Sequence, residues 1–253
     1  KNMKKKIIYK DKSEIKNIHE SWKYLTEILW LLYKEVKPWV NLLELEKIAE
    51  NYMVKNNIRW AFKWYYDFPA NLCLSVNDCL VHGIPDNYVL QAWDLLKVDC
   101  WVIYKNGISD SAFSIIVWWE FANPEWFKLI QTTIRWLDNW YNTEKTIKDE
   151  GFSIIKTLTG HGVWRYVHEF PYIYNVANDD LKKLTRKPWM VVALEPITSL
   201  YSTKYTNISV NKNNPDNWRN LYTKEWDIWA QREYTIAITD SWPQILAWLQ
   251  NVM

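Results

Sequence analysis

Leu95-Leu-Lys-Val-Asp99-Cys-Trp-Val-Ile-Tyr104, the turn Lys105-Asn106-Gly107, and the run Ile108-Ser-Asp110-Ser-Ala-Phe-Ser-Ile-Ile116 read as two consecutive strands. Side chains alternate across a strand, so Asp99, Trp101 and Ile103 share one face and Val98, Cys100 and Val102 the other. Both faces are largely apolar, and an ionised carboxylate is too costly to bury unless it is paired or coordinates metal. Asp99 and Asp110 are therefore candidate metal ligands. A tight turn at Asn106-Gly107 would set Asp110 opposite Ile103, about 13 Å along the strand from Asp99 at ~3.3 Å per residue. Two metals about 3.5–4 Å apart do not span that distance. The expectation is a turn nearer Tyr104-Lys105, or a bulge, that brings the carboxylates together.

Working outward, three more candidates stand in short phrases. His161 lies between Gly160 and Gly162, Glu195 ends the apolar run Val191-Val-Ala-Leu, and Glu233 precedes Tyr-Thr-Ile-Ala-Ile-Thr. Singly, an aspartate at a strand end is more often a turn or cap, and a histidine between glycines more often a loop residue. The ordered set is what points to a pair of divalent ions.

Helical spacing predicts a helix over 12–36, with Ser13 as N-cap and Ile15, Ile18, Trp22, Leu25, Ile28, Leu29 and Leu32 inward, and a second over 42–56. Strands are predicted over 72–80, 94–104, 108–118, 189–197, 200–210 and 232–239, with a helix over 124–151 opened by Pro124 and a polar loop over 211–217. No linker or repeat divides the chain. The fold class is α+β: an antiparallel sheet with helices packed on one face, residues 1–253 forming one domain whose first eleven residues are a basic tail.

A net charge of +2 gives no support for a nucleic-acid partner. No apolar stretch follows the lysine-rich start, so no secretory address is read, and no run of 18 apolar residues suggests a membrane span. Three cysteines, Cys73, Cys79 and Cys100, form no CxxC pair and suit a reducing cytoplasm.

The chain holds 19 Trp and only 5 Gly, where glycine is ordinarily about 7% of residues. Several tryptophans stand where a turn wants glycine, as in Lys37-Pro38-Trp39, Ala92-Trp93-Asp94, Lys187-Pro188-Trp189 and Ser241-Trp242-Pro243. Two readings follow: an unusually aromatic protein, or a codon written as Trp that the cell reads as glycine, as some bacterial lineages read UGA. On the second, a chain carrying the indoles folds poorly because they overpack turn and core sites.

Cys73-Leu-Ser-Val-Asn-Asp-Cys-Leu-Val-His82-Gly-Ile-Pro-Asp86 resembles the signature of type I methionine aminopeptidases. Lys97-Val-Asp99, Ser109-Asp110-Ser, Gly160-His161-Gly-Val, His168-Glu-Phe-Pro171, Leu194-Glu195-Pro and Ala230-Gln-Arg-Glu233 follow in that family's order. The resemblance spans roughly residues 12–248. It implies the pita-bread fold, two pseudo-symmetric αβ halves with helices on the outer face of the sheet and a dinuclear metal site between them. It also implies hydrolytic removal of the initiator methionine from nascent proteins with a small second residue. Asp110 and Glu233 would bridge two divalent ions (Co, Mn, Fe or Zn), Asp99 would bind one, and His161 and Glu195 would complete the other. Glu195 would also move the proton, His82 and His168 would hydrogen-bond the substrate, and Tyr65, Phe68 and Cys73 would line the methionine pocket. A cytoplasmic monomer with the ribosome as partner accompanies these expectations. Trp39, Trp64, Trp93, Trp118, Trp164, Trp189 and Trp242 fall where the family generally has glycine, and Tyr66 and Tyr234 where it has histidine. Proline-directed peptidases share such ligands but lack the Val76-Asn77 … His82-Gly-Ile-Pro85 phrase, and a non-catalytic binding module of the same fold would usually have lost ligands.

Overall fold

Helix α1 (Lys12–Glu35) starts at a capping box. Asp11, in extended backbone, accepts from the Glu14 amide at 2.8 Å, and the Glu14 carboxylate accepts from the Asp11 amide at 2.7 Å. The N-cap is thus Asp11 rather than Ser13, because its partner three residues on is a glutamate that can reach back. Helix α2 (Leu42–Lys55) is capped by the Asn41 side chain, which accepts from the Leu43 amide at 2.8 Å. Both helices turn an apolar stripe inward, Leu25, Ile28, Leu29 and Leu32 from α1 and Leu45, Ala49 and Met53 from α2. Each such fully buried side chain contributes roughly 1.5–3 kcal/mol.

The computed structural model of the chain describes residues 6–63, 68–118, 123–138, 143–164, 166–179, 184–185, 187–202, 205–206, 220–223, 227–240 and 243–246. Trp64, Tyr65, Tyr66, Trp242 and the polar loop over 211–217 lie outside them.

The two helices rest on an antiparallel sheet. Strands β1 (Arg59–Trp60) and β2 (Leu72–Val76) pair with one edge of β3 (Leu95–Tyr104), and β4 (Gly107–Ile116) pairs with the other. The β3–β4 turn is Lys105-Asn106, both at positive φ (47° and 64°), so Tyr104 faces Gly107 and Trp101 faces Asp110. The turn therefore sits one residue earlier than Asn106-Gly107, which shifts the register by two residues in the direction expected, without a bulge. Asp99 lies opposite Ala112, diagonal to Asp110 on the same face, a separation that long side chains and a shared ion can bridge.

The second half opens with α3 (Pro124–Asp138) and α4 (Thr143–Asp149), both within the helical span over 124–151 that the sequence suggests; residues 139–142 lie outside the described set. Ten strands follow: β5 (Ser153–Ile154), β6 (Thr159–Gly162), β7 (Glu169–Tyr174), β8 (Val191–Leu194), β9 (Ile197–Ser199), β10 (Tyr205–Thr206), β11 (Tyr222–Thr223), β12 (Trp229–Gln231), β13 (Tyr234–Ile238) and β14 (Pro243–Ile245). Five form an antiparallel sheet in the order β14-β13-β8-β6-β7, three the order β12-β9-β5, and β10 and β11 pair with each other. Leu129, Ile130 and Leu137 of α3 pack against Val192, Leu194, Tyr234 and Ile236, and against Leu95 and Ile116 of the first sheet.

The halves meet where β4 passes residues 231–235. Among the described residues one isolated backbone bridge joins them there, Ala112 to Glu233. Hydroxyls supply the rest: Ser111 Oγ donates to Glu233 O (2.7 Å), Ser114 Oγ to Gln231 O (2.8 Å), and Thr235 Oγ1 to Asp110 O (2.8 Å). These buried bonds fix Glu233 beside Asp110. No described helix is long and apolar enough to cross a membrane, and the three cysteines are free and buried.

Candidate metal centre

Each donor reaches the centre by its own route. Asp99 and Asp110 project from the middle of β3 and β4, and Glu233 arrives across the seam, its amide donating to Ala112 O at 3.0 Å. His161 sits inside β6, between Ala193 of β8 and Tyr172 of β7. A Cβ at residue 160 would lie 2.3 Å from Ala193 O, and one at residue 162 would lie 2.8 Å from Phe170 O. The flanking glycines thus let both neighbouring strands close on the histidine, which is a strand residue rather than a loop residue. Glu195 follows β8 directly, and its carbonyl accepts from Asn175 Nδ2 at 3.1 Å.

The side chains converge. His161 Nε2 lies 3.3 Å from Glu195 Oε1 and 3.6 Å from Asp110 Oδ2. One donor atom each from Asp110, His161 and Glu233 falls within 4.8 Å of the others. The His161 Nδ1 lies 3.2 Å from Gly162 O; with the proton there, Nε2 offers its lone pair to the centre. A cavity of about 200 Å³ is lined by all seven residues expected at the metals or in proton transfer and substrate polarisation: His82, Asp99, Asp110, His161, His168, Glu195 and Glu233.

The electrostatics are unbalanced without a cation. Asp110 is fully buried and Asp99 and Glu233 nearly so. Asp99 Oδ1, both carboxylate oxygens of Asp110 and Glu233 Oε1 are buried and accept no hydrogen bond. Burial pushes all three acids well above the usual carboxylate range, and their neighbours push further: Glu195 acts on Asp99, Asp99 and Glu195 on Asp110, Asp110 and Glu195 on Glu233. Orphaned, mutually repelling oxygens around an imidazole form a donor set that fits divalent cations of the Mn, Fe, Co and Zn kind.

Around this core, His168 stands 4.3 Å from the His161 ring and 5.0 Å from Trp101, centroid to centroid. Burial, then His161 and His82, lower its pKa to about 3, so it is neutral at pH 7. Phe68 and Cys73, expected in the methionine pocket, are buried in an apolar cluster with Phe62, Ile84, Val167 and Trp101, and neither lines the cavity. Tyr65 lies outside the described residues. Burial, then Asp99 and Asp110, hold the Cys73 thiol in its neutral form, unsuited to act as a nucleophile. Trp101, Thr157, Thr159 and Gln231 also line the cavity and were not singled out from sequence. For Trp101 the signal existed, since the alternation that turns Asp99 inward turns residue 101 inward too.

The sequence model of metallopeptidase family M24 matches residues 17–240. A methionine aminopeptidase of Clostridium perfringens is 31% identical over 254 residues, covering 95% of this chain and 98% of the relative. Among solved structures, the methionine aminopeptidase of Thermotoga maritima superposes with a TM-score of 0.87 at 25% identity, covering 95% of this chain and 99% of that one. The prolidase of Pyrococcus horikoshii shares the fold, with a TM-score of 0.71 at 17% identity, but this chain covers 65% of it.

Proposed function

This chain belongs to the methionine aminopeptidases of metallopeptidase family M24, and from that footing we propose how its pita-bread fold removes an N-terminal methionine by metal-dependent hydrolysis. The observation that carries the reading is the set of buried, unpartnered carboxylate oxygens around His161. Asp99, Asp110, His161, Glu195 and Glu233 are the residues that would hold the cations, two of them on our reading, with Co, Mn, Fe and Zn all suited. When bound, such ions neutralise the acids, polarise the scissile carbonyl and activate water.

The protein's own groups do the rest. Glu195 is the least buried of the central acids, 15% exposed at its side chain, and so has access to solvent and substrate. It takes a proton from the attacking water and returns it to the leaving amine, base then acid. His168, kept neutral, and His82, which lines the same cavity, donate hydrogen bonds to the substrate amide and to the negative charge that grows on its oxygen. The apolar cluster of Phe68 and Cys73 is the side toward which the thioether would point, a soft group suited to aromatic contact; Tyr65, assigned there by the resemblance, lies outside the described residues. A small second residue fits the confined cavity. Buried free thiols suit a reducing compartment, which supports a cytoplasmic location; a monomer acting on nascent chains near the ribosome is part of the same proposal.

The test uses purified protein with Met-Ala-Ser and Ala-Pro peptides, before and after chelation. Methionine is released from the first, release stops on chelation, and added Mn or Co restores it. Cleavage of the Ala-Pro peptide alone would sink the assignment, as would release indifferent to metal.

A further inference from the structure

We propose that residues 39, 93, 118 and 189 are glycine in the protein as its own cell makes it, because the backbone at all four is shaped for glycine. The φ angles are 74° at Trp39, 73° at Trp93, 83° at Trp118 and 75° at Trp189. Glycine enters this left-handed region freely and asparagine does so occasionally, whereas other L residues press Cβ against the following carbonyl. Among the described residues, the other non-glycine positions with positive φ are three asparagines, His82 and Lys105, and one glycine, Gly151, joins them. Tryptophan, which has no local hydrogen bond to offer in return, thus supplies more of these positions than asparagine or glycine.

Three of the four sit in the same kind of turn. In Lys37-Pro38-Trp39-Val40 the Val40 amide donates to Lys37 O at 3.3 Å, and in Gln91-Ala92-Trp93-Asp94 the Asp94 amide donates to Gln91 O at 3.2 Å. In Lys187-Pro188-Trp189-Met190 the Met190 amide donates to Lys187 O at 3.4 Å. The tryptophan is third each time, where a type II turn requires positive φ and takes glycine, and proline is second in two, where that turn favours it.

The surroundings hold these backbones in place. The Trp39 amide donates to Leu90 O (2.8 Å), that of Trp93 to Val117 O (3.0 Å) and that of Trp189 to Ile238 O (2.7 Å), so the chain does not escape by twisting. Meanwhile the indoles do little: Trp39, Trp93 and Trp118 are 73%, 59% and 71% exposed, in a residue type that is ordinarily highly buried. The glycines that are written as such at residues 83, 107, 160 and 162 serve close approach instead, with a Cβ there falling 2.2–2.8 Å from backbone atoms. Gly151, at φ 89° and with open space where a Cβ would stand, is the single positive-φ glycine among the described residues, so tryptophan outnumbers glycine four to one at such positions. This inference rests on backbone geometry and stands whether or not the reaction is assigned correctly.

Two measurements decide it. The gene is read at the four codons and peptides from the source cells are weighed. UGA at each, with glycine in the peptides, is the expected result; UGG at these codons, or tryptophan in the peptides, overturns the proposal. Separately, the chain as written is compared with the quadruple variant Trp39→Gly, Trp93→Gly, Trp118→Gly and Trp189→Gly. The quadruple variant melts at least about 8 °C higher, from ~1–2 kcal/mol relieved at each of four sites and roughly 2–4 °C per kcal/mol in a domain of this length. An equal or lower melting temperature overturns the claim that the backbone calls for glycine.

Discussion

Trp101 divides two environments that face each other across its indole. On one side lie four carboxylates and three histidines around a cavity of about 200 Å³, with carboxylate oxygens that accept nothing. On the other, Phe62, Phe68, Cys73, Ile84 and Val167 form a dry cluster closed by the indole itself, with the Phe62 ring stacked on it at 4.0 Å. The polar side has bonding capacity that the protein does not meet, so it is shaped for something brought in from outside. The apolar side is already satisfied by a residue of the chain. On the proposed reading a methionine side chain would meet the indole of Trp101, which lines the cavity and also belongs to the apolar cluster.

The difference is broken most completely on the polar side. Asp110→Ala removes a fully buried acid at the centre of the cluster; the variant retains no tightly bound divalent ion by elemental analysis, and Met-Ala-Ser cleavage falls by more than about 10³-fold, the scale of a lost activation of water and carbonyl. Full activity with intact metal content would show that the carboxylates are structural. His168→Ala keeps the ions and lowers kcat by about 10²–10³-fold, the usual cost of losing a donor to a developing oxyanion. A rise in KM with unchanged kcat would instead give His168 a role in ground-state binding only.

The apolar side is sharpened by Trp101→Ala, which joins the dry cluster to the cavity. The gain in kcat/KM for Met-Ala-Ser is about 10-fold, what ~1.4 kcal/mol of added apolar contact gives, with little change for an Ala-Ala-Ser peptide. If the indole is instead a pillar of the fold, the variant melts lower and gains nothing on methionine.

Legibility in the sequence divides along similar lines. Asp99 and Asp110 are readable because period-two alternation sets acids among apolar neighbours, and Glu195 and Glu233 because each adjoins an apolar run. His161 is not readable that way. Thr159-Gly-His-Gly162 has no apolar period, and its burial comes from strands β7 and β8 closing over glycines. Nor is the seam, where Ser111, Ser114 and Thr235 look like ordinary polar strand residues until another segment accepts their hydroxyls. Lys10 is the plainest miss. Its sequence context is a basic tail, yet it is 4% exposed, pairs with Glu169 at 3.4 Å, and its amide donates to Trp189 O at 2.8 Å. A partner 159 residues away leaves no local trace. Phe68 and Cys73 were legible as apolar but not as separated from the cavity, because that depends on what residue 101 is.

The smallest expected effect tests the electrostatic half of the comparison without any substitution. In the metal-free protein, Asp99, Asp110 and Glu233 hold protons to a higher pH than they do in the unfolded chain, chiefly through burial. Above the ordinary carboxylate range the folded state therefore carries more protons than the unfolded state, and stability falls as pH rises. Melting temperature after chelation should drop by a few degrees between pH 5 and pH 8, at roughly 2–4 °C per kcal/mol for a chain of this size. A saturating divalent ion binds the ionised acids and releases their protons, so the slope flattens or reverses in its presence. The slope is the discriminating feature: acids held by salt bridges or amide donors would have lowered pKa values, be ionised in both states above about pH 5, and leave metal-free stability flat over the same interval. A flat curve after chelation would mean that these carboxylates find partners within the protein, and the polar wall would lose its claim to be waiting for cations.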